Sequence, residues 1–151
     1  MNTKILVSGF LALALGISSL SASEFDLKTN MFKLNAELNE LQRGFISSDK
    51  KGISIILNSF AKDAEELLGN RDQMIDMLPK DMDSKKHKVN IAVDSARKIK
   101  TSVATIREAI ENKEGLSVRK RQAIAQEAYL NIVGACFNCH NLVRDKERIA
   151  D

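Results

Sequence analysis

From Leu27 onward, apolar residues recur at every third or fourth position in four separate stretches. The first carries Leu27, Met31, Leu34, Leu38, Leu41 and Phe45, and the second Ile53, Leu57, Phe60, Ala64 and Leu67. The third carries Val89, Ala92, Ala96, Ile99, Val103, Ile106 and Ile110, and the fourth Ala125, Tyr129, Ile132, Cys136, Cys139 and Val143. Alternating steps of 3 and 4 stay close to the turn of an α-helix, so each set forms one stripe on one helix face. No strand pattern is visible.

The residues between the stretches stop and start helices. Ser48-Asp49 closes the first and caps the second, and Gly69-Asn70 ends the second. Ser84 caps the third, Gly115 ends it, and Ser117 caps the fourth. Residues 70–83 form the longest connection and hold the only proline, Pro79. This predicts an all-α fold, an up-down-up-down antiparallel four-helix bundle. Four short stripes separated by stops favour an intramolecular core over a coiled-coil oligomer.

Residues 1–23 have a different pattern. Lys4 precedes an apolar run from Ile5 to Leu20, and Ser21-Ala22-Ser23 supplies small residues at a cleavage site. This is the layout of a secretory signal peptide, and the run is short for a membrane-spanning helix. Residues 24–151 are then the exported domain, with no membrane span after cleavage. The expected location is the periplasm. Removing Lys4 lowers the formal charge of +3 by one.

Composition agrees with a single helical domain. The 151 residues are 44% hydrophobic and 28% charged, with seven glycines and one proline. These values exclude collagen-like, disordered and disulfide-stapled classes. The charge is small and no basic stripe is interleaved with aromatics, so nucleic acid is not an expected partner. The two cysteines allow at most one disulfide, and their spacing is more informative than their number.

Cys136-Phe137-Asn138-Cys139-His140 is C-x-x-C-H, the pattern of covalent c-type haem attachment. Two thiols add to the two vinyl groups on one porphyrin edge, and the adjoining histidine places an imidazole nitrogen on the iron. The competing readings are weaker. A Cys136–Cys139 disulfide closes a very short loop and stabilises little. A thioredoxin-like dithiol sits in a strand–helix context. A zinc site lacks a fourth ligand nearby, because His87 is the only other histidine.

A signal peptide, four amphipathic helices and C-x-x-C-H in the last helix resemble the class II c-type cytochromes. That family comprises cytochrome c′ and its low-spin, methionine-ligated relatives. The resemblance covers residues 24–151, with the haem motif as its specific part. The family commonly carries a basic residue four positions after the histidine, and Arg144 matches it. The aromatic often found just before that residue is replaced by Val143. Where many relatives have an arginine early in the first helix, this chain has Leu27 and Lys28. Lys28 is a substitute candidate for contact with a haem propionate. The resemblance implies one covalent haem c per chain and redox partner proteins. Members of the family often pair, which adds a homodimer to the expectations.

His140 is the expected proximal ligand, and Met31 the expected sixth ligand. In an up-down bundle the start of the first helix lies beside the end of the fourth. Met31 and His140 then fall at similar heights, and a thioether suits haem iron. The resemblance agrees, since low-spin relatives carry their methionine at this position. The competing role for Met31 is core packing. Met74, Met77 and Met82 are expected to pack the 70–83 connection, His87 to point outward, and Phe32 and Leu34 to wall the pocket. Lys85, Lys86 and Lys88 are candidates for steering an acidic redox partner.

The leading expectation is electron transfer by His140/Met31-ligated iron, with no enzyme activity. The alternative is a five-coordinate, cytochrome c′-like protein that binds nitric oxide or carbon monoxide, with Met31 as an apolar lid. A haem-free helical interaction or dithiol module is the third reading.

Overall fold

A computed structural model describes residues 27–78, 80 and 82–143. The described residues form five helices and no strand: α1 (Leu27–Ser47), α2 (Lys50–Leu68), α3 (Arg71–Met77), α4 (Lys85–Glu111) and α5 (Val118–Val143). The molecule is an all-α helical bundle. The signal peptide expected at 1–23 lies outside the described residues, as does Arg144. No helix among the described residues is long and apolar enough to cross a membrane.

The four long helices coincide with the four apolar stripes. The short α3 lies in the stretch expected to be only a connection. The Asn70 side chain accepts a hydrogen bond from the Gln73 N–H at 3.1 Å and starts the turn. Met74 and Leu78, four residues apart, are then buried in the core. A single turn gives too few apolar positions to register as a period. Asp49 caps α2 through the Gly52 N–H at 2.9 Å, and Ser117 Oγ accepts from the Lys120 N–H at 3.3 Å. Ser84 makes no side-chain cap. It adopts the left-handed region at φ 53°, and its carbonyl accepts from His87 and Lys88.

Cross-helix contacts give the order of packing. Lys33 of α1 pairs with Asp63 of α2 at 2.6 Å, and Gly44 lies against Ile53. A Cβ on Gly44 would sit 2.7 Å from Ile53 Cγ1, so glycine permits the close approach of these two helices here. Lys100 reaches Glu65 at 2.7 Å, and Arg107 reaches Asn58 at 2.6 Å, joining α4 to α2. Arg121 of α5 donates to the Ala109 carbonyl of α4 at 3.4 Å. The contacts run in opposite directions along each of the first two pairs: Lys33 and Gly44 of α1 meet Asp63 and Ile53 of α2, and Lys100 and Arg107 of α4 meet Glu65 and Asn58 of α2.

Leu57, Phe60, Leu67, Val89, Ile99, Ile106 and Ile132 form the centre of the core. Small buried residues bring α4 and α5 close together: Ala92, Ser95, Ala96 and Ser102 on one, Ala125, Ala128 and Ala135 on the other. The opposite side of α5 is looser. Its Tyr129, Cys136 and Val143, seven residues apart, are only half-buried. On α1, Leu34 and Leu41 are buried, whereas Met31, Leu38 and Phe45 form a second half-buried edge. Among the described residues α1 packs along α2 and makes no comparable backbone approach to α5. The two edges therefore border an incompletely closed seam. The Phe45 and Tyr129 rings meet there edge-on, with centroids 5.6 Å apart.

Glu37 is half-buried beside Asp63 and Ser59. Burial pushes its carboxyl above the ordinary carboxylate range, and neighbouring Asp63 adds to the rise. A hydrogen bond with Ser59 opposes it. The fold thus favours the neutral carboxyl. Its stabilising contribution is full below the ordinary value of 4.5 and is lost as pH rises through the raised one. Glu37→Gln should therefore raise the melting temperature at pH 7, and the gain should vanish near pH 4. Thermal melts at the two pH values check this, and an equal change at both excludes Glu37 titration as the cause.

Candidate functional site

Residues 136–140 form part of the last turns of α5, within one uninterrupted helix. Cys136, Cys139 and His140 stand at i, i+3 and i+4. At roughly 100° per residue, Cys139 lies about 60° to one side of Cys136 and His140 about 40° to the other. The three side chains thus share one face. Cys139 is buried on the α4 side, while Cys136 and His140 are half-buried at the seam.

Both cysteines are free thiols. Burial pushes both above the ordinary thiol range. For Cys139 the nearby Ser95 hydroxyl partly offsets the rise. That hydroxyl also donates to the Ile91 carbonyl at 2.8 Å. Thiols held neutral are poor nucleophiles in disulfide exchange, which weighs against a redox-active dithiol. The apolar stripe passed over Ser95 because it is polar. The signal was present in spacing: Ser95 and Ser102 are seven residues apart and adjoin stripe residues Ala96 and Val103.

Met31 is half-buried on the α1 edge that also carries Phe45. Heights can be counted from the Phe45–Tyr129 contact by taking α1 and α5 as antiparallel, as an up-down bundle would have them. Met31 lies 14 residues before Phe45, and Val143 lies 14 residues after Tyr129. Each is about 21 Å from the ring contact at 1.5 Å per residue. His140, 11 residues past Tyr129, is about 16 Å along. Met31 and His140 thus fall within one helical turn of the same height, on opposite borders of the seam.

The remaining expected residues divide. Leu34 is buried in the core, whereas Phe32 is 64% exposed. Phe137, within the C-x-x-C-H segment, is likewise 64% exposed. His87 is exposed on the first turn of α4. Met74 is a core residue of α3, and Met77 and Met82 pack against the core. Lys28 and Lys86 are exposed. Lys85, by contrast, donates to the Leu78 carbonyl at 2.7 Å, fastening the α3–α4 connection. Among the described residues no group of three or more His, Cys, Asp or Glu side chains is placed to hold a metal ion. No protein-family model, curated protein or solved structure matches this chain.

Proposed function

We propose that this chain is an exported, mono-haem c-type cytochrome that transfers single electrons. In this reading the bundle is an up-down-up-down four-helix array, with α3 an insertion in its middle connection. Haem c is attached at Cys136 and Cys139, and the iron is held by His140 and Met31. The observation that carries the reading is the position of C-x-x-C-H on the border of the loosely closed α1–α5 seam. Two reduced thiols, an adjoining imidazole and a half-buried thioether at matching height border that seam. Exposed Phe32 and Phe137 offer apolar surface on the same two helices.

Haem, when bound, supplies a one-electron couple, and His/Met ligation raises its potential. The protein's share of the work is attachment, orientation and exclusion of water. Cys136 already borders the seam. Cys139 must turn from Ser95 toward the same side, a rotamer change within one helical position. His140, on the next residue, has its backbone fixed by the helix. Small residues between α4 and α5 keep that half of the bundle rigid, so accommodation falls on α1. Partners in this reading are redox proteins, and the compartment is the periplasm. Intact mass and ferric absorption of the purified chain test it together. The expected result is one added haem mass with a low-spin spectrum; a mass equal to the polypeptide alone overturns it.

A further inference from the structure

Between the α1–α2 turn and the α4–α5 turn lies a cavity of about 510 Å³. Phe45, Ile46, Ile53, Ile110, Tyr129 and Leu130 supply its apolar walls. Its lining holds two cations, Lys50 and Arg121, and no carboxylate. Arg121 places one guanidinium nitrogen 3.4 Å from the Ala109 carbonyl. Its Nε is shielded from solvent and has no hydrogen-bond partner. A charged guanidinium takes a carboxylate in preference to a neutral acceptor such as the Ala109 carbonyl.

A half-open apolar cavity with positive charge on its lining suits a ligand with an anionic head and a hydrocarbon body. The volume falls within the roughly 300–1,000 Å³ of small-molecule sites. We propose that this cavity binds a free medium-chain aliphatic carboxylate. Arg121 takes the carboxylate, and the chain lies against Ile46, Ile110 and Leu130. Lys50 adds longer-range attraction at the rim. The site is separate from the haem reading, since Cys136 lies about 10 Å farther along α5 than Tyr129.

Calorimetric titration of the full purified chain with sodium decanoate, and separately with decanol, tests the proposal. Decanoate should bind at least about tenfold more tightly than decanol, the difference a charge-assisted hydrogen bond makes. Arg121→Gln should remove that preference. Ile46→Glu alters a position that is 78% exposed, so the fold should be retained. It should weaken decanoate about tenfold by placing a like charge at the cavity. Absence of decanoate binding, or equal affinity for the alcohol, overturns the proposal. So does binding that shifts the haem absorption and ignores both substitutions, because the ligand is then at the iron. If Ile46→Glu splits a dimer and neither form takes up decanoate, the cavity is a contact between two copies and the proposal falls.

Discussion

Changing Cys136 and Cys139 together to serine should leave a chain with no covalent haem. Its intact mass should equal that of the polypeptide, and the red colour should be lost on denaturation. In the proposed attachment each thiol would form one thioether, so either single substitution should retain one link and still carry haem through the denaturing gel. The double variant should also be less stable, because an open seam between α1 and α5 stays unfilled. Met31, Leu38 and Val143 are half-buried there, so exposed apolar area is left without a partner. Covalent haem retained in the double variant would exclude these cysteines as the anchor. Loss of stability without any haem in the parent chain would instead make the pair a packing feature of α5. The raised thiol pKa values bear on the same experiment. Burial favours the protonated form of both groups, and it is an S–H bond that adds across a vinyl group.

Met31→Leu should convert the ferric iron from low to high spin and lower its reduction potential. Leucine nearly conserves the volume of methionine and costs less than about 1.5 kcal/mol in a packed site. At a half-buried position on α1 the substitution should leave the fold in place. The spectral change therefore reports loss of sulfur from the iron rather than collapse of the pocket. The vacated position should bind carbon monoxide or nitric oxide readily, as the five-coordinate alternative expects of the parent chain. A low-spin spectrum unchanged by Met31→Leu removes Met31 as a ligand. A parent chain already high-spin turns the reading toward gas binding. Because Met31 and His140 stand within one turn in height, no large displacement of α1 is needed for either outcome.

The helices were legible in the sequence because burial on one face imposes its period on the residues that supply it. On α2 and α4 nearly every stripe residue is buried, from Ile53 to Leu67 and from Val89 to Ile106. The helix α3 was not legible, since Met74 and Leu78 span one turn and cannot declare a period. Ser95 escaped because a buried hydroxyl bonded to the turn before it breaks no packing rule. Leu34 and Phe32, both expected as pocket walls, separate into a core residue and an exposed one. They lie two positions apart, about 200° around α1.

By itself the sequence determined four amphipathic helices, and it carries a C-x-x-C-H segment. Only the tertiary structure decided how each stripe divides. Leu34 and Leu41 are buried while Met31, Leu38 and Phe45 border the seam. Cys139 faces α4 while Cys136 and His140 border the seam. A stripe marks the side of a helix that avoids water, but not which neighbour covers each edge or how closely. That depends on the side chains brought opposite. Alanines and serines let α4 close on α5, and no equivalent small-residue surface joins α5 to α1.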